Sequence, residues 1–486
     1  MSERVEHFST RWGMLVAMLG MAVGTGNIWR FPRVAATNGG GSFLVAWVVF
    51  LLLWSVPLIL IEFSMGKATR AGPVGAFARL VGKRYAWMGA WVAWTAIAIM
   101  FYYAVVAVWT IRYTFAALTG ELGGAEPGAV WEGFSYTWSA VGFQALALAI
   151  GIFVVARGVR GIEMAARLLI PSLFVLVIVL AIRAVTLPNA VLGLEFLFTP
   201  TWEGLSNPQV WLQALTQNAW DTGAGWGLIL TYAVYMRRRE DTALNAFVLG
   251  FGNNTVSLLA GIMVLCTVFS VMPDAATQIV GAGNEGLTFI WVPQLFARMP
   301  GGSVFMVFFF AALFFAALTS LISMIELATR VLQDMGVARS RAITMIGLLG
   351  FVLGMPSALN ADMFANQDFV WGVGLMVSGL FFAIAVLRHG VTKFRESFIN
   401  TGDSDIRIGA WWDWAIRLVV VQAVVLVAWW FWQVRTEDPW GPFGWANMAV
   451  QFAIALAFFL AVNGWIGRRA GSVAPHEDEN PILTVP

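Results

Sequence analysis

The sequence predicts an all-α integral membrane protein, and composition and segment length carry that prediction. Hydrophobic residues make up 59% of the 486 residues, whereas charged residues make up only 12%, against roughly 25% in a soluble domain. Twelve apolar stretches are long enough to cross ~30 Å of hydrocarbon. Numbered helix 1 to helix 12, they lie at about 12–36, 41–66, 87–118, 136–156, 162–184, 209–236, 244–271, 303–333, 341–358, 367–388, 413–434 and 443–467.

Helix 1 is interrupted near its middle. An apolar run from Met14 to Val23 is followed by the sequence GTGN at residues 24–27. Glycine is about 1 kcal/mol worse than alanine inside a helix, and a broken helix in a membrane survives only where it lines a protein cavity. The two half-helix ends offer carbonyls to a cation and amides to an anion. The break therefore favours a site for a cation and a carboxylate, although a glycine-kinked helix packed closely on a neighbour is an alternative.

Helix 6 is interrupted in a similar way. Residues 217–227 read QNAWDTGAGWG, with three glycines and Asp221 between apolar flanks. Interrupted helices at corresponding positions of two halves are typical of an inverted-repeat transporter whose site lies at the midplane of the membrane. The predicted fold is therefore twelve transmembrane helices, with an inverted repeat of helices 1–5 and 6–10 in which helices 1 and 6 are unwound at the midplane.

The distribution of Lys and Arg predicts the orientation. About 22 of the 29 basic residues fall on one side of the membrane if the N-terminus lies inside, and basic loops are cytoplasmic. We therefore expect a multi-pass protein of the cell's inner (plasma) membrane with both termini in the cytoplasm. Two long loops, 119–135 and 272–301, then lie outside, and the second is expected to hold a pair of short helices over the entrance.

The chain divides into three predicted parts. Residues 1–400 form the transporter core of helices 1–10, residues 401–470 carry accessory helices 11 and 12, and residues 471–486 form a polar cytoplasmic tail. The single cysteine, Cys266, excludes an intrachain disulfide. The three histidines lie in tails or loops, so neither a histidine metal site within the membrane nor a catalytic triad is expected.

Other classes of protein fit less well. A channel should show a continuous polar stripe along several helices, whereas here the polar residues cluster at the two breaks. A sensor usually carries a soluble output domain, and an enzyme needs an acid–base pair or metal ligands. A net charge of +2 gives no indication of nucleic acid. The expected partners are a small molecule and the lipid bilayer, with monomer and homodimer both left open.

Nine segments distributed over helices 1 to 10 carry a family resemblance. They are TRWGMLVAMLGMAVGTGNIWRFP (10–32), NGGGSF (38–43), PLILIEFSMGK (57–67), FYYAVVAVW (101–109), ARGVRGIEMAARLLIP (156–171), LTYAVYMRR (230–238), FGNNTVSLLAG (251–261), FFAALTSLISMIE (314–326) and DFVWG (368–372). Together they resemble the neurotransmitter:sodium symporter family, which includes bacterial leucine transporters. The resemblance implies a sodium-coupled secondary active importer of a small amino acid that works by alternating access.

The resemblance also implies two sodium sites. Sodium is a hard cation that prefers oxygen ligands, by the logic that holds for other hard cations. The second site would use the carbonyls of Gly20, Val23 and Ala316 with the hydroxyls of Thr319 and Ser320. An alternative for the two hydroxyls is a hydrogen bond to the carbonyl four residues earlier.

The first sodium site would lie at the helix 1 break. Its ligands would be the Ala22 carbonyl, the side chains of Asn27 and Asn253, Asp221, and the carboxylate of the substrate. That carboxylate would rest on the amides of Thr25 and Gly26 and on the hydroxyl of Tyr103. The remaining substrate-binding residues implied by the resemblance are Met21, Ala22, Ile99, Trp220, Gly223, Trp226, Ser320 and Met324.

This pocket is aromatic and rich in sulfur. It suits a hydrophobic or aromatic amino acid. It also suits a betaine, an amine or another osmolyte held by cation–π contacts, which is the alternative substrate class. Plain helix packing is a further alternative for Met324.

The resemblance places gates on both sides of the pocket. Arg30 and Asp368 would close the outer gate with the ring of Trp220 as a lid, although Arg30 could instead extend to the outer interface. Asp334 would close the inner gate with an N-terminal arginine. Here the sequence departs from the family, because Val5 stands at the arginine position, with Arg4 beside it as the substitute, and Phe8 replaces a tryptophan.

Two buried acids have structural roles in the same comparison. Glu62 of helix 2 and Glu163 of helix 5 are expected to bond backbone groups near the unwound region rather than to touch the substrate.

Asp221 is the most informative departure, because family members usually carry Ser or Thr there. The family's chloride-site positions correspond to Trp47, Gln217, Asp221, Asn253 and Ser257. Chloride-independent bacterial members place an acid at the position of Ser257, so we expect that this charge has moved to Asp221 and that chloride is not required. A carboxylate in a membrane core is costly unless a cation compensates it. The competing interpretation is that Asp221 contacts a cationic group of the substrate.

Overall fold

A computed structural model describes residues 6–124, 126–237, 239–401 and 404–470. Every regular element in these ranges is helical, which confirms the predicted fold class. The ten unbroken helices that are long and apolar enough to cross a membrane in the described ranges are Gly41–Thr69, Lys83–Leu118, Trp138–Val155, Gly158–Val185, Thr242–Val271, Gly302–Asp334, Arg339–Leu359, Ala361–His389, Trp411–Gln433 and Trp445–Ala470.

Helices 1 and 6 are the two interrupted elements. Helix 1 consists of Arg11–Ala22 and Gly26–Thr37, which meet at an angle of 55° and count as an eleventh span if taken together. Helix 6 consists of Pro208–Asp221 and Leu228–Ala233. Neither half of helix 6 is long enough to span a membrane alone, so the total of twelve stays a prediction.

The connections hold short helices that the sequence indicated only in part. The two long loops predicted to lie outside contain helices. The first holds Glu121–Gly124 and Pro127–Phe134, and the second holds Ala276–Gly281, Gly283–Glu285, the π-helix Gly286–Trp291 and Val292–Ala297. Four further helices lie outside the predicted segments, and each is too short to span a membrane. They are Pro73–Val81, Ala190–Phe198, Trp202–Ser206 and Val391–Phe394, the last of which continues as the π-helix Arg395–Ile399.

Helix 3 lies at the centre of the bundle and packs along helix 8. In the most apolar 18-residue stretch of each helix, 83% of helix 3 is buried, against 33% of helix 11 and 22% of helix 12. Helices 11 and 12 therefore lie at the periphery, as accessory helices should, although the division at residue 400 stays a prediction. The predicted tail at 471–486 lies outside the described residues.

The helix 6 break is held by a carboxylate from helix 2. Gly223, Gly225 and Gly227 have φ angles of +70°, +87° and +80°, a region that favours glycine. The fully buried Glu62 accepts hydrogen bonds from the amides of Gly225 (2.6 Å) and Leu230 (3.1 Å). The expectation that Glu62 bonds backbone groups at the unwound region is confirmed.

Glu163 also bonds a backbone group, but at a different place. It accepts from the amide of Ser9 (2.9 Å) and from its hydroxyl (2.5 Å), and Arg167 donates to it at 2.6 Å. These contacts fix the start of helix 1 on helix 5. The expected location near the unwound region was therefore wrong for Glu163, because its carboxylate lies at the start of helix 1 and the break lies at the other end of that half-helix.

Replacing Glu62 should destabilise the fold. Glu62→Ala leaves the amides of Gly225 and Leu230 without partners, and each unsatisfied buried donor costs about 1–3 kcal/mol. We expect a clear fall in the melting temperature of the detergent-purified protein, and an intermediate fall for Glu62→Gln, which keeps one acceptor. Glu121→Gln is the matched control. Glu121 lies partly exposed in the loop after helix 3, where it pairs with Arg112 of that helix. Equal melting temperatures for Glu62→Ala and the control would contradict this account.

Candidate sodium and substrate site

The helix 1 break is tied to helix 7 through Asn27. The first half of helix 1 ends at Ala22, and the chain is extended at Val23 before it resumes as a π-helix over Gly26–Arg30. The amide of Gly24 donates to Oδ1 of Asn27 (2.8 Å). Nδ2 of Asn27 donates to Oδ1 of Asn253 (3.0 Å) and to Oγ of Ser257 (2.8 Å). The same side chain therefore closes the break and links it to helix 7.

Asp221 joins this cluster with half of its carboxylate unused. Its Oδ2 accepts from Oγ of Ser257 (3.1 Å) and from Nε2 of Gln217 (3.2 Å). Its Oδ1 is buried and has no hydrogen-bond partner among the described residues. A buried carboxylate is costly without compensation. Its free oxygen belongs to the cluster that Ser257 links to Asn27, and oxygen is the ligand type that sodium prefers. The residues present fit a sodium ion.

The residues implied for the second sodium site also come together. A Cβ built on Gly20 would lie 3.3 Å from Cβ of Thr319, and one built on Gly24 would lie 2.9 Å from Oγ of Ser320. The Thr319 hydroxyl donates to the carbonyls of Phe315 (2.9 Å) and Ala316 (3.1 Å), as the alternative interpretation expected. That donation uses the hydroxyl hydrogen and leaves oxygen lone pairs free. The contacts bring helix 1 and helix 8 together and are compatible with a cation.

A cavity lies between the two breaks. The centre of a water-sized sphere can occupy about 60 Å³ in it, several times the space that one water needs. The sequence-predicted residues that line it are Met21, Ala22, Thr25, Gly26, Asn27, Arg30, Tyr103, Trp220, Asp221, Gly223, Trp226, Ser320, Met324 and Asp368. Among the predicted substrate-binding residues Ile99 is the exception, since it is fully buried within helix 3 and does not line the cavity.

Gly24, part of the helix 1 break, also lines the cavity, and five further lining residues were not predicted. They are Trp29, Tyr102, Val106, Leu228 and Asn284. Val106 lies one turn after Tyr103, so helical spacing could have identified it. Asn284 comes from the second outer loop, where nothing in the local sequence points to the cavity.

Tyr103 lies beside the helix 1 break. Its hydroxyl oxygen accepts from the amide and from the hydroxyl of Thr25, both at 3.2 Å. Because the oxygen acts as an acceptor in both bonds, the phenolic hydrogen is available to a further acceptor. The Thr25 amide, which the resemblance assigns to the substrate carboxylate, already has a partner here, so the Tyr103 hydroxyl is the more accessible donor.

The outer gate is not closed by an ion pair. The guanidinium carbon of Arg30 lies 4.6 Å from the centroid of the Trp220 ring, and Nε of Arg30 is buried without a hydrogen-bond partner among the described residues. Within those residues Arg30 makes no ion pair shorter than 4.0 Å, although Asp368 lines the same cavity. The predicted pairing of Arg30 with Asp368 therefore stays a prediction, and a cation–π contact takes its place.

The second outer loop reaches the mouth of the cavity. Nε of Arg33 donates to Oδ1 of Asn284 at 2.7 Å. Burial raises the pKa of the adjacent Glu285, and the Arg33 guanidinium opposes that shift. The loop therefore places Asn284 and Glu285 beside Arg33 of helix 1 at the entrance.

The inner side is closed by packing. The buried Phe8 lies edge-on to Tyr232 and Tyr235, with ring centroids 6.2 Å and 6.3 Å away. Asp334 accepts from Nε of Arg330 (3.0 Å) and from the amide of Gly72 (2.5 Å). Arg4 lies outside the described residues, so its pairing with Asp334 stays a prediction.

Comparison with known proteins identifies the family. The model of a family described as sodium:neurotransmitter symporters matches residues 5–140 and 133–468. The chain belongs to this family. It is 30% identical to an uncharacterised sodium-dependent transporter of Methanocaldococcus jannaschii, over 94% of this chain and 96% of that protein. It is also 28% identical to an uncharacterised sodium-dependent transporter of Bacillus subtilis, over 86% and 96% of the two chains.

The fold is shared with a solved member of the family. The crystal structure of MhsT in complex with L-phenylalanine is similar with a TM-score of 0.77 and 30% sequence identity, covering 87% of this chain and 98% of that one. This symporter is therefore a multi-pass membrane protein that couples transport to sodium, and it is not an enzyme.

The symporter places the Trp220 ring against a glycine of helix 10. A Cβ on Gly372 would lie 2.0 Å from Cζ2 of Trp220, and overpacking of this kind costs about 1–3 kcal/mol. We expect Gly372→Ala to lower the melting temperature and the double variant Trp220→Phe/Gly372→Ala to recover it, since Phe lacks the clashing ring. Gly142→Ala is the control, because no atom lies within 4 Å of its added Cβ. Additive losses in the double variant would show that the ring does not rest there.

Proposed function

We propose that this symporter imports a small hydrophobic or aromatic amino acid together with sodium, by alternating access and without chloride. The observation that carries the proposal is the buried Oδ1 of Asp221, which has no hydrogen-bond partner among the described residues and belongs to the cluster that Ser257 joins to Asn27. A fixed negative charge at this point supports a bound cation. The sodium ion supplies positive charge next to the broken helix, where the substrate carboxylate lies within reach of the Tyr103 hydroxyl.

Asp221 also supports independence from chloride. A site that binds an anion beside sodium needs donors and no competing negative charge. Here Gln217 and Ser257 both point donors at the carboxylate itself. Asp221 thus occupies the donors that an anion would use, and it provides the charge that an anion would supply.

The cavity walls support the substrate class. Trp220 and Trp226 lie edge to face with their centroids 6.1 Å apart, and Met21 and Met324 complete an apolar lining. Polarisable sulfur and aromatic faces favour an apolar or aromatic side chain. MhsT, which is similar in fold, was crystallised with L-phenylalanine.

A betaine or another amine is the second candidate, and the same indole faces favour it through cation–π contact. An acidic side chain for such a cation has little room at Gly24, where an added Cβ would lie 2.9 Å from Oγ of Ser320 and 3.3 Å from the Tyr103 hydroxyl. Asp221 and Asp368 are the two acids among the described lining residues, and Asp221 is the one at the helix 6 break. The amine therefore competes with sodium for one carboxylate, which makes the amino acid the better fit.

The transport cycle follows from the two sides of the cavity. The outer side presents Arg30 and Asp368 apart, whereas the inner side is packed by Phe8 and the Asp334 contacts. Two sodium ions bound between helices 1, 6, 7 and 8 and a substrate bound beside Tyr103 would favour closure of the outer side, after which the inner side opens. All the proposed ligands come from one chain, which spans the inner membrane with both termini in the cytoplasm.

A ligand screen tests the substrate class. The twenty amino acids, betaines, taurine and monoamines are added to detergent-purified protein in sodium chloride, sodium gluconate and choline chloride. A bound ligand raises the melting temperature by mass action. We expect stabilisation by hydrophobic or aromatic amino acids in both sodium salts and none in choline chloride. Stabilisation by amines or betaines alone would mean that Asp221 or the tryptophans bind the cationic group of the substrate.

Removing the charge at Asp221 tests the chloride proposal. In Asp221→Ser we expect ligand stabilisation to require chloride, because an external anion must replace the lost carboxylate. The measurement is the ligand-induced shift of the melting temperature in sodium chloride against sodium gluconate. Asp362→Ser, at an exposed position of helix 10, is the control and should behave like the wild type. A wild type that already needs chloride would refute the proposal.

A further inference from the structure

A second polar cluster lies behind the helix 6 break, on the side that faces helix 2. It consists of Ser55, Asn218 and Thr222, all fully buried. Oγ of Ser55 donates to Oδ1 of Asn218 (3.0 Å), and Oγ1 of Thr222 bonds Oγ of Ser55 (3.0 Å). We call these three residues the helix 2–helix 6 cluster.

The cluster reaches the backbone of both helices. Nδ2 of Asn218 donates to the carbonyl of Trp47 in helix 2 (2.9 Å) and to that of Ala214 in its own helix (3.1 Å). Oγ1 of Thr222 contacts the carbonyl of Asn218 at 2.7 Å. Each side-chain polar atom of the cluster has a partner, in contrast to Asp221. Fully satisfied networks of this kind fix a single arrangement of a buried interface.

The cluster takes no direct part in binding. None of its residues lines the cavity between the two breaks, and none belongs to the proposed sodium ligands. Apolar side chains would fill the same space without any cost of burying polar groups. The distinctive contribution of the cluster is direction, since hydrogen bonds fix the rotation of a helix whereas apolar contact does not.

The rotation of helix 6 matters because of what lies on its next face. In an α-helix successive residues are turned by about 100°, so Asn218 and Thr222 share one face while Gln217 and Asp221 share the adjacent face. The first pair is bonded to helix 2, and the second pair points at Ser257 of helix 7. A turn of helix 6 that breaks the first set of contacts also moves the carboxylate of Asp221.

Helix 2 meets the cluster at an irregular turn. Residues Leu51–Ser55 form a π-helix between two α-helical parts of helix 2, and π-turns are frequent at functional sites. Ser55 is the last residue of the π-helix. The carbonyl of Trp47, one turn before the π-helix starts, accepts from the side-chain amide of Asn218. The register of helix 6 is therefore set against a fixed, non-standard feature of its neighbour.

We propose that Ser55, Asn218 and Thr222 are positioning residues that hold the first half of helix 6 in the rotation at which Asp221 reaches the sodium ion. This inference rests on the proposed role of Asp221 as a sodium ligand. The cluster then sets the apparent affinity for sodium without touching the ion.

A sodium titration without substrate tests this. The melting temperature of detergent-purified protein is followed as sodium chloride replaces choline chloride at constant ionic strength, and the sodium midpoint is compared between variants. We expect Thr222→Val and Ser55→Ala to raise the midpoint about three- to tenfold, as the loss of one directional hydrogen bond would. Thr222→Ser keeps the hydroxyl and should restore the wild-type midpoint.

Thr216→Val is the matched control. Thr216 is equally buried in the same half of helix 6, and its hydroxyl bonds only the carbonyl of Leu212 (2.8 Å) among the described residues. Its sodium midpoint should match the wild type even if its melting temperature falls. An equal rise of the midpoint in Thr216→Val would overturn the proposal, because any loosening of helix 6 would then suffice.

Two further outcomes are distinguishable. A lower melting temperature in choline chloride with an unchanged sodium midpoint in both Thr222→Val and Ser55→Ala would make the cluster a purely structural contact and overturn the inference. A wild type that shows no stabilisation by sodium would refute the proposed function itself, and the inference with it.

Discussion

The backbone must find hydrogen-bond partners within the protein wherever a helix is broken inside a membrane, and the rest of the structure depends on that requirement. Lipid offers no partners, so polar side chains of the protein serve each break. Glu62 of helix 2 binds the amides of the helix 6 break. Asn27 and Tyr103 serve the helix 1 break. The cavity lies between the two breaks, with Asn27 and Tyr103 in its lining and Glu62 outside that lining.

Electrostatics follows from the same constraint. Both carboxylate oxygens of Glu62 accept hydrogen bonds from backbone amides, whereas Oδ1 of Asp221 has no partner among the described residues. The two acids therefore lie at the same broken helix and differ in their partners. In the proposed function this difference makes Glu62 a structural acid and Asp221 a sodium ligand.

Much of this was predictable from the sequence, and the exceptions have physical reasons. The glycines beside Thr25 and Asp221 marked both breaks, and most of the cavity lining followed from the family resemblance. Ile99, which the resemblance implies for the substrate, does not line this cavity, and a helical position alone does not fix which neighbour a residue faces. Asn284 was missed because a loop residue reaches the cavity only through tertiary packing. The contact of Glu163 with Ser9 was likewise invisible, since it joins segments 154 residues apart.

That contact has a mechanical consequence. Ser9 gives both its amide and its hydroxyl to Glu163, and Arg167 binds the same carboxylate and the hydroxyls of Ser9 and Thr10. The residues at the start of helix 1 and the N-terminal turns of helix 5 are thus joined by one hydrogen-bonded cluster. Because the carboxylate, the two hydroxyls and the guanidinium bond one another, the two segments move apart only when these contacts break.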